Sequence, residues 1–306
     1  MASETRVPPH AYFLTSAVFH YLGPSFAVLL FARIEVLGVA WLRIAAAALV
    51  FAAWRRPWRA FARLDRHGRR LLLGWGAVLA VMNACFYSAI SRLPLGTVSA
   101  IEFVPVIGLA ALGARSPRNL LALGVAVVGV YLLTDIRVSG AAIGFLFAFA
   151  NAILFALYIV LADRVAKRPR CSGIDGLAAA MLIATVVVTP IGGWQAAPAF
   201  ADPVALLAGI GVGISSSVIP YVTDQLAMAR LPRASYATMV ALLPALATLI
   251  GIVVLAQIPS WAEVAGIALV VGGVMLHRPH EPAEARRAQP DCPTGPRAGS
   301  ATTRLR

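Results

Sequence analysis

Charge is what this sequence has least of. Asp, Glu, Lys and Arg make up 13% of its 306 residues, 60% are hydrophobic, and the mean hydropathy is +0.81. That balance excludes an ordinary water-soluble domain. Acidic residues are the scarcer sign, 13 against 26 basic ones, leaving a net charge of +13. On a soluble chain such an excess points to nucleic acid. Here the basic residues fall in short stretches between apolar runs, so no nucleic-acid partner is expected. Cysteine is nearly absent: Cys85, Cys171 and Cys292 lie in an apolar run, a basic loop and the C-terminal stretch, which builds neither a disulfide framework nor a CxxC metal pair. Five histidines are scattered, and no GxxxxGK or GxSxG motif occurs. ATP drive, serine hydrolysis, a catalytic zinc and bis-histidine haem ligation therefore have no support, and neither a cofactor nor a metal is expected.

What the chain does have is apolar length. About 20 apolar residues span the hydrocarbon of a bilayer, and ten runs approach that length: 12 to 32, 34 to 54, 71 to 91, 95 to 113, 119 to 134, 140 to 162, 174 to 196, 204 to 229, 235 to 256 and 260 to 277. The expected fold is an all-α membrane protein of ten transmembrane helices. Its first run is too long for a signal-peptide core and is read as a mature helix. With ten spans both termini share one side, and the positive-inside rule chooses which. Placed inside, the N-terminus, even loops and tail collect 22 of the 26 basic residues, seven of them between Arg55 and Arg70. Only Arg33, Arg92 and Arg137 fall outside, and Arg43 lies within a span. Both termini are expected to be cytoplasmic. The stretch from 278 to 306, rich in Pro, Ala, Arg and Gly, has no apolar periodicity and reads as a disordered tail.

The chain also echoes itself. Ala89-Ile-Ser-Arg92-Leu93-Pro94 returns 138 residues later as Ala227-Met-Ala-Arg230-Leu231-Pro232, and the following helices each carry a proline, Pro105 and Pro244. Five spans separate the copies, an odd number, so Arg92 falls outside and Arg230 inside. That is an inverted-topology repeat, the plan of secondary transporters with a substrate site between the halves. The expected organisation is a cytoplasmic N-terminus (1–11), a first five-helix repeat (12–134), a second (140–277) and the tail (278–306).

The stretch Met82-Asn83-Ala-Cys-Phe86-Tyr87-Ser88-Ala-Ile-Ser-Arg-Leu93-Pro94-Leu95-Gly96-Thr97, followed by Ala100-Ile-Glu102-Phe103, resembles the EamA-type drug/metabolite transporters, nearest to their inner-membrane threonine/homoserine exporter branch. Leu231-Pro232-Arg233 and Leu243-Pro244-Ala245-Leu246-Ala247 extend the resemblance, which covers roughly residues 12 to 277. It implies export of amino acids or related small metabolites across a bacterial inner membrane, with protons as coupling ion. Two positions depart from the family: a glutamate often precedes the second-half proline, where this chain has Leu243, and another lies near that helix's end, here Gln257.

Polar residues inside the runs are the candidate site. Arg43, nine residues from either end of its run, lies about 13 Å from each surface. An unpaired guanidinium there costs about 2.5 kcal/mol or more, so it must face the bundle and find an anion. Two overlapping readings stay open, a structural ion pair with Glu102 and contact with a substrate carboxylate. Glu102 lies near the middle of its run, three residues before Pro105, which kinks the helix and frees a carbonyl. A proton or a substrate amine suits that carboxylate. Helical spacing adds Asn83 with Tyr87, Tyr221 with Asp224 and Gln225, Asn151 with Tyr158, and Ser16 with His20. Asn83, Tyr87, Tyr158 and Tyr221 join Arg43 and Glu102 as expected substrate-binding residues, and Glu102, Asp224 and His20 are the expected proton-coupling groups. Gly140-Ala-Ala-Ile-Gly144 and Gly209-Ile-Gly-Val-Gly213 read as close-packing faces.

The expected function is a secondary transporter, an exporter running proton-coupled antiport by alternating access. The alternatives are an uncoupled carrier, an efflux pump for other small metabolites or drugs, and an intramembrane enzyme, for which only Ser16 with His20 offers a nucleophile and base. The expected partners are a small-molecule substrate, protons and the lipid bilayer. Monomer and homodimer are both open.

Overall fold

The computed structural model describes residues 8–113, 116–135, 138–166, 173–228, 230, 239–240 and 242–276, and among these no strand occurs. Helix α1 spans Pro9–Leu30, α2 Val36–Arg55, α3 Pro57–Arg63, α4 Arg66–Ile90, α5 Leu95–Gly113, α6 Pro117–Asp135, α7 Val138–Ala166 and α8 Gly173–Val188. After them come α9 (Pro203–Gly213), α10 (Ile219–Met228), α11 (Leu243–Leu255) and α12 (Trp261–Leu276). Six stretches are long and apolar enough to cross a bilayer: His10–Leu30, Val36–Arg55, Arg66–Ile90, Ala142–Val165, Ile174–Ala201 and Pro203–Asp224. Shorter apolar helices at Leu95–Pro105, Pro117–Leu133, Leu243–Leu255 and Trp261–Leu276 occupy the places of the expected fourth, fifth, ninth and tenth runs. Large apolar side chains such as Leu49, Leu146, Val186, Leu207 and Val253 stand exposed around the bundle, an exterior that suits lipid and not water. The chain is a multi-pass helical membrane protein.

Two prolines reshape long helices. Pro190 falls in a π-helical turn at Thr189–Gly193, and Pro220 follows another at Ile214–Val218. A proline has no amide proton to donate to the carbonyl four residues back, and a widened turn accommodates the missing bond. The arginine-rich stretch expected as a loop is partly helical. Arg56 takes a left-handed conformation (φ 51°), Pro57 opens α3, and the Asp65 carboxylate accepts from Gly68 N at 2.9 Å, starting α4 five residues before the expected span. The tail from 278 onward and residues 231–238, which hold the end of the second hexapeptide copy, lie outside the described residues.

The packing interlocks the two halves of the chain. Helix α1 packs on α10 and α11, α2 on α8 and α9, α4 on α7 and α8, α5 on α7 and α11, and α6 on α12. Buried alanines at 40, 47, 48, 80, 100, 126, 148 and 152 let these helices approach closely, as small residues do where lipid supplies no hydrophobic drive. Where α6 crosses α12, a Cβ on Gly129 would lie 2.7 Å from Gly266 O and one on Gly266 2.8 Å from Gly129 O, so neither tolerates a side chain. Gly209 and Gly213 press on Leu42, Arg43 and Ala46 of α2, as the close-packing reading of that stretch requires.

The arginines of the two hexapeptide copies end their helices alike. Arg92 N donates to Ala89 O and Arg230 N to Ala227 O, each at 3.0 Å. Each guanidinium folds back on the carbonyl four residues earlier, Ser88 O at 2.6 Å and Leu226 O at 3.1 Å. Each also lies over an aromatic ring from the other half of the chain, Phe147 at 5.4 Å and Tyr12 at 5.0 Å.

Candidate substrate site

Arg43 is 8% exposed, in the middle of α2, and its donors reach into both halves. Nη1 donates to Asn83 Oδ1 at 2.5 Å, Nε to Ser217 Oγ at 3.1 Å and Nη2 to Ser216 O at 3.1 Å, and the guanidinium lies 5.5 Å from the Tyr87 ring centre. Local structure explains each partner. Asn83 is held by its own Nδ2 donating to Leu79 O at 2.8 Å, which turns the amide oxygen toward the cation. Ser216 O is available because Pro220, four residues on, has no N–H to give it. Every one of these partners is neutral.

The expected direct pair between Arg43 and Glu102 is absent. Glu102, 7% exposed on α5, takes its hydrogen bond from Asn151 Nδ2 of α7 at 3.1 Å, while Arg43 is occupied by Asn83 and the two serines. The neutral acceptors satisfy the guanidinium's geometry and leave it with no carboxylate in direct contact among the described residues. Beside these two groups Tyr87 Oη and Asn151 Oδ1 are buried with no hydrogen-bond partner among the described residues, and Trp75 Nε1, whose ring meets Tyr158, is a further such atom. Buried polar groups are nearly always satisfied, so such atoms beside a buried guanidinium make this region a candidate for a ligand.

Tyr158, one of the expected binding residues, stacks on Phe155 (6.2 Å between ring centres) and leans on Trp75 (5.6 Å). Tyr221 lies on α10, half-buried among the side chains that include Tyr158 and Trp75. Asp224 and Ser16 meet at 3.4 Å, and Ser16 Oγ also donates to Pro220 O at 3.1 Å, which ties α1 to α10. His20 stands edge-on to Tyr21 at 5.1 Å and takes no hydrogen bond from Ser16, so the nucleophile and base pair of an intramembrane hydrolase does not form. Gln225's side chain lies outside the described residues. Gln257 Oε1 accepts from Leu95 N at 3.1 Å, so where the resemblance has a glutamate this chain keeps an acceptor at the start of α5. Leu243 packs among apolar neighbours.

Sequence reasoning missed Ser216, Ser217 and Trp75. For the serines a signal was present: a proline four residues after Ser216 in an apolar helix announces a free carbonyl. Trp75 carried no such sign.

Residues 142–277 match the EamA-like transporter family. The threonine/homoserine exporter RhtA of Salmonella typhimurium is 29% identical over 260 residues, covering 83% of this chain and 85% of its own, and that of Escherichia coli aligns to the same extent. One crystal structure, 19% identical, superposes with a TM-score of 0.54 over 87% of this chain and 96% of its own, a likeness of fold. The second half thus matches the EamA-like transporter family and both halves are similar to named exporters, likenesses that support a membrane transporter of small metabolites and not an enzyme.

Proposed function

We propose that the protein exports small amino acids across the bacterial inner membrane in exchange for protons, by alternating access of two inverted five-helix repeats with both termini cytoplasmic. The carrying observation is Arg43, a buried cation held only by neutral partners. A guanidinium has five N–H donors, and Arg43 commits three, so a substrate carboxylate finds both charge and free donors there. Tyr87 Oη offers the same carboxylate a further hydroxyl. The ammonium end goes to Asn151 Oδ1 and Glu102, and the side chain to the Trp75, Phe155 and Tyr158 rings. Proton and ammonium compete for the Glu102 carboxylate, and a carrier that crosses with one or the other is an antiporter. The mirrored ends of α4 and α10 at Arg92 and Arg230 support the inverted repeat, because each arginine covers a ring from the opposite half. Threonine and homoserine, which the relatives are named for exporting, are the first substrates to test.

The test is transport in proteoliposomes under an imposed pH gradient, with threonine and homoserine set against a panel of amino acids. Gradient-driven accumulation is expected for wild type. Glu102→Gln, which mimics the protonated acid, should keep substrate-for-substrate exchange and lose that accumulation. Full pH-driven transport by a well-folded Glu102→Gln variant removes Glu102 as the coupling group, and no amino-acid movement by wild type rejects the reading. Cysteines placed at Arg92 and Arg230 should label from opposite faces; labelling from one face rejects the inverted repeat.

A further inference from the structure

A cavity of about 380 Å³, whose lining does not include Arg43, lies where the turn between α4 and α5 meets the linker between α11 and α12. That volume is within the range of about 300–1,000 Å³ typical of small-ligand sites. Arg92, Thr97, Gln257 and Glu263 line it, so it holds one charge of each sign. Arg92 commits only Nη1, to Ser88 O and Ser91 Oγ, and its other donors make no bond to the described residues. Glu263, 2% exposed, is fixed at the start of α12, where Oε2 accepts from Ser260 N at 2.8 Å and Ser260 Oγ accepts from Glu263 N at 3.3 Å. Thr97 is 2% exposed, and its hydroxyl makes no hydrogen bond among the described residues. Gln257 bridges to Leu95 N, and Gly96 packs against Thr248, so the cavity sits on a seam between the two halves of the chain.

We propose that this cavity is a second binding site for a zwitterionic amino acid, on the face opposite the arginine-rich one. The carboxylate binds at Arg92, and the ammonium binds at Glu263 with Thr97 beside it. Such a ligand spans the α4–α5 turn and α12. It therefore ties together the elements that part when this face opens, and external amino acid slows its own further export. The chemistry of the cavity is independent of the central site; only the external face rests on the topology proposed above.

The test uses the full chain in membranes, with Cys85, Cys171 and Cys292 replaced by serine and Ser91→Cys added as a reporter on the cavity wall. An impermeant maleimide labels the reporter in the presence of an equimolar mixture of the protein amino acids other than cysteine, whose thiol would consume the reagent. At about ten times the half-protecting concentration, labelling should slow about tenfold. Acetate or methylamine, each with a single charge, should not protect. Protection should disappear in Arg92→Gln and weaken in Thr97→Val, yet persist in Arg43→Gln, which disables the central site. The proposal is overturned by an absence of protection, by equal protection from acetate or methylamine, or by protection that follows Arg43 and ignores Arg92. Labelling only from the cytoplasmic side overturns the external role and the topology while leaving the central-site reading to its transport test.

Discussion

At two places on its rim the molecule pairs an arginine with a carboxylate, and at its centre it does not. Arg33, just before α2, meets Asp202 at the start of α9 at 2.8 Å, and Arg55, at the end of α2, meets Asp175 of α8 at the same distance. Both pairs join the N-terminal half to the C-terminal half, one at each end of α2. Between them on the same helix, Arg43 is more deeply buried than either and has only neutral partners. Desolvation makes the opposite arrangement the economical one, since an unpaired charge costs most where water is scarcest. Rim pairs hold helices together. The central cation, on the proposed function, is held for a substrate carboxylate.

The sharpest way to break this comparison is at Arg43 itself. Removing a buried partner of a charged ligand group costs about 2–5 kcal/mol, so Arg43→Gln should weaken amino-acid binding by about 30-fold or more. Arg43→Lys keeps the charge but loses the fork that spans Asn83, Ser216 and Ser217, and should fall between the two. Because no direct pair joins Arg43 to Glu102, adding Glu102→Gln should not rescue the protein level of Arg43→Gln. The coupling between the two substitutions, read from thermal unfolding in detergent, should stay below about 3–5 kcal/mol, the cost of breaking a direct buried pair. A strong rescue would restore the ion pair and make the central charges structural like those of the rim.

Pro220 sharpens the comparison at lower cost. Its missing N–H leaves Ser216 O for Arg43, whereas Pro220→Ala supplies a helical donor that competes for that carbonyl. One hydrogen bond contributes about 0.5–1.5 kcal/mol, so substrate affinity should fall by about two- to tenfold with the charge intact. Affinity unchanged in a well-folded Pro220→Ala protein would mean that the carbonyl is incidental to how Arg43 is held.

Much of this was legible in the sequence because bilayer physics is one-dimensional. A run of apolar residues declares a helix, and an arginine in its middle declares a buried charge that needs explaining. Partners were harder. The expectation that Arg43 pairs with Glu102 followed from neutralising charge, but side-chain geometry decided otherwise: Asn83, one turn before Tyr87, takes one donor, and the opened turn before Pro220 takes two more. Asn151 was visible as a polar residue in an apolar helix, yet nothing in linear spacing joins position 151 to 102. The helical content between Arg55 and Arg70 was hidden because its signals, Pro57 and Asp65, are local and lie among charges that read as loop.

The smallest effect belongs to the exposed rim pair, and it tests whether pairing there is structural only. Asp202 caps α9 by accepting from Val204 N at 3.0 Å and Ala205 N at 3.2 Å, and also meets Arg33. The backbone bond from Ala205 and the Arg33 guanidinium hold its carboxyl below the ordinary value of 3.8. A carboxyl lowered by folding contributes stability that is fully present above its unfolded value and is lost only as pH falls through the folded one. This clasp should therefore stay constant between about pH 5 and 8, where proton-coupled transport is measured. Asp202→Asn keeps a capping oxygen and removes the charge, so transport and its pH profile should barely move. A pH profile displaced in Asp202→Asn would show that the rim pair takes part in coupling, and the division between a structural rim and a functional centre would fail.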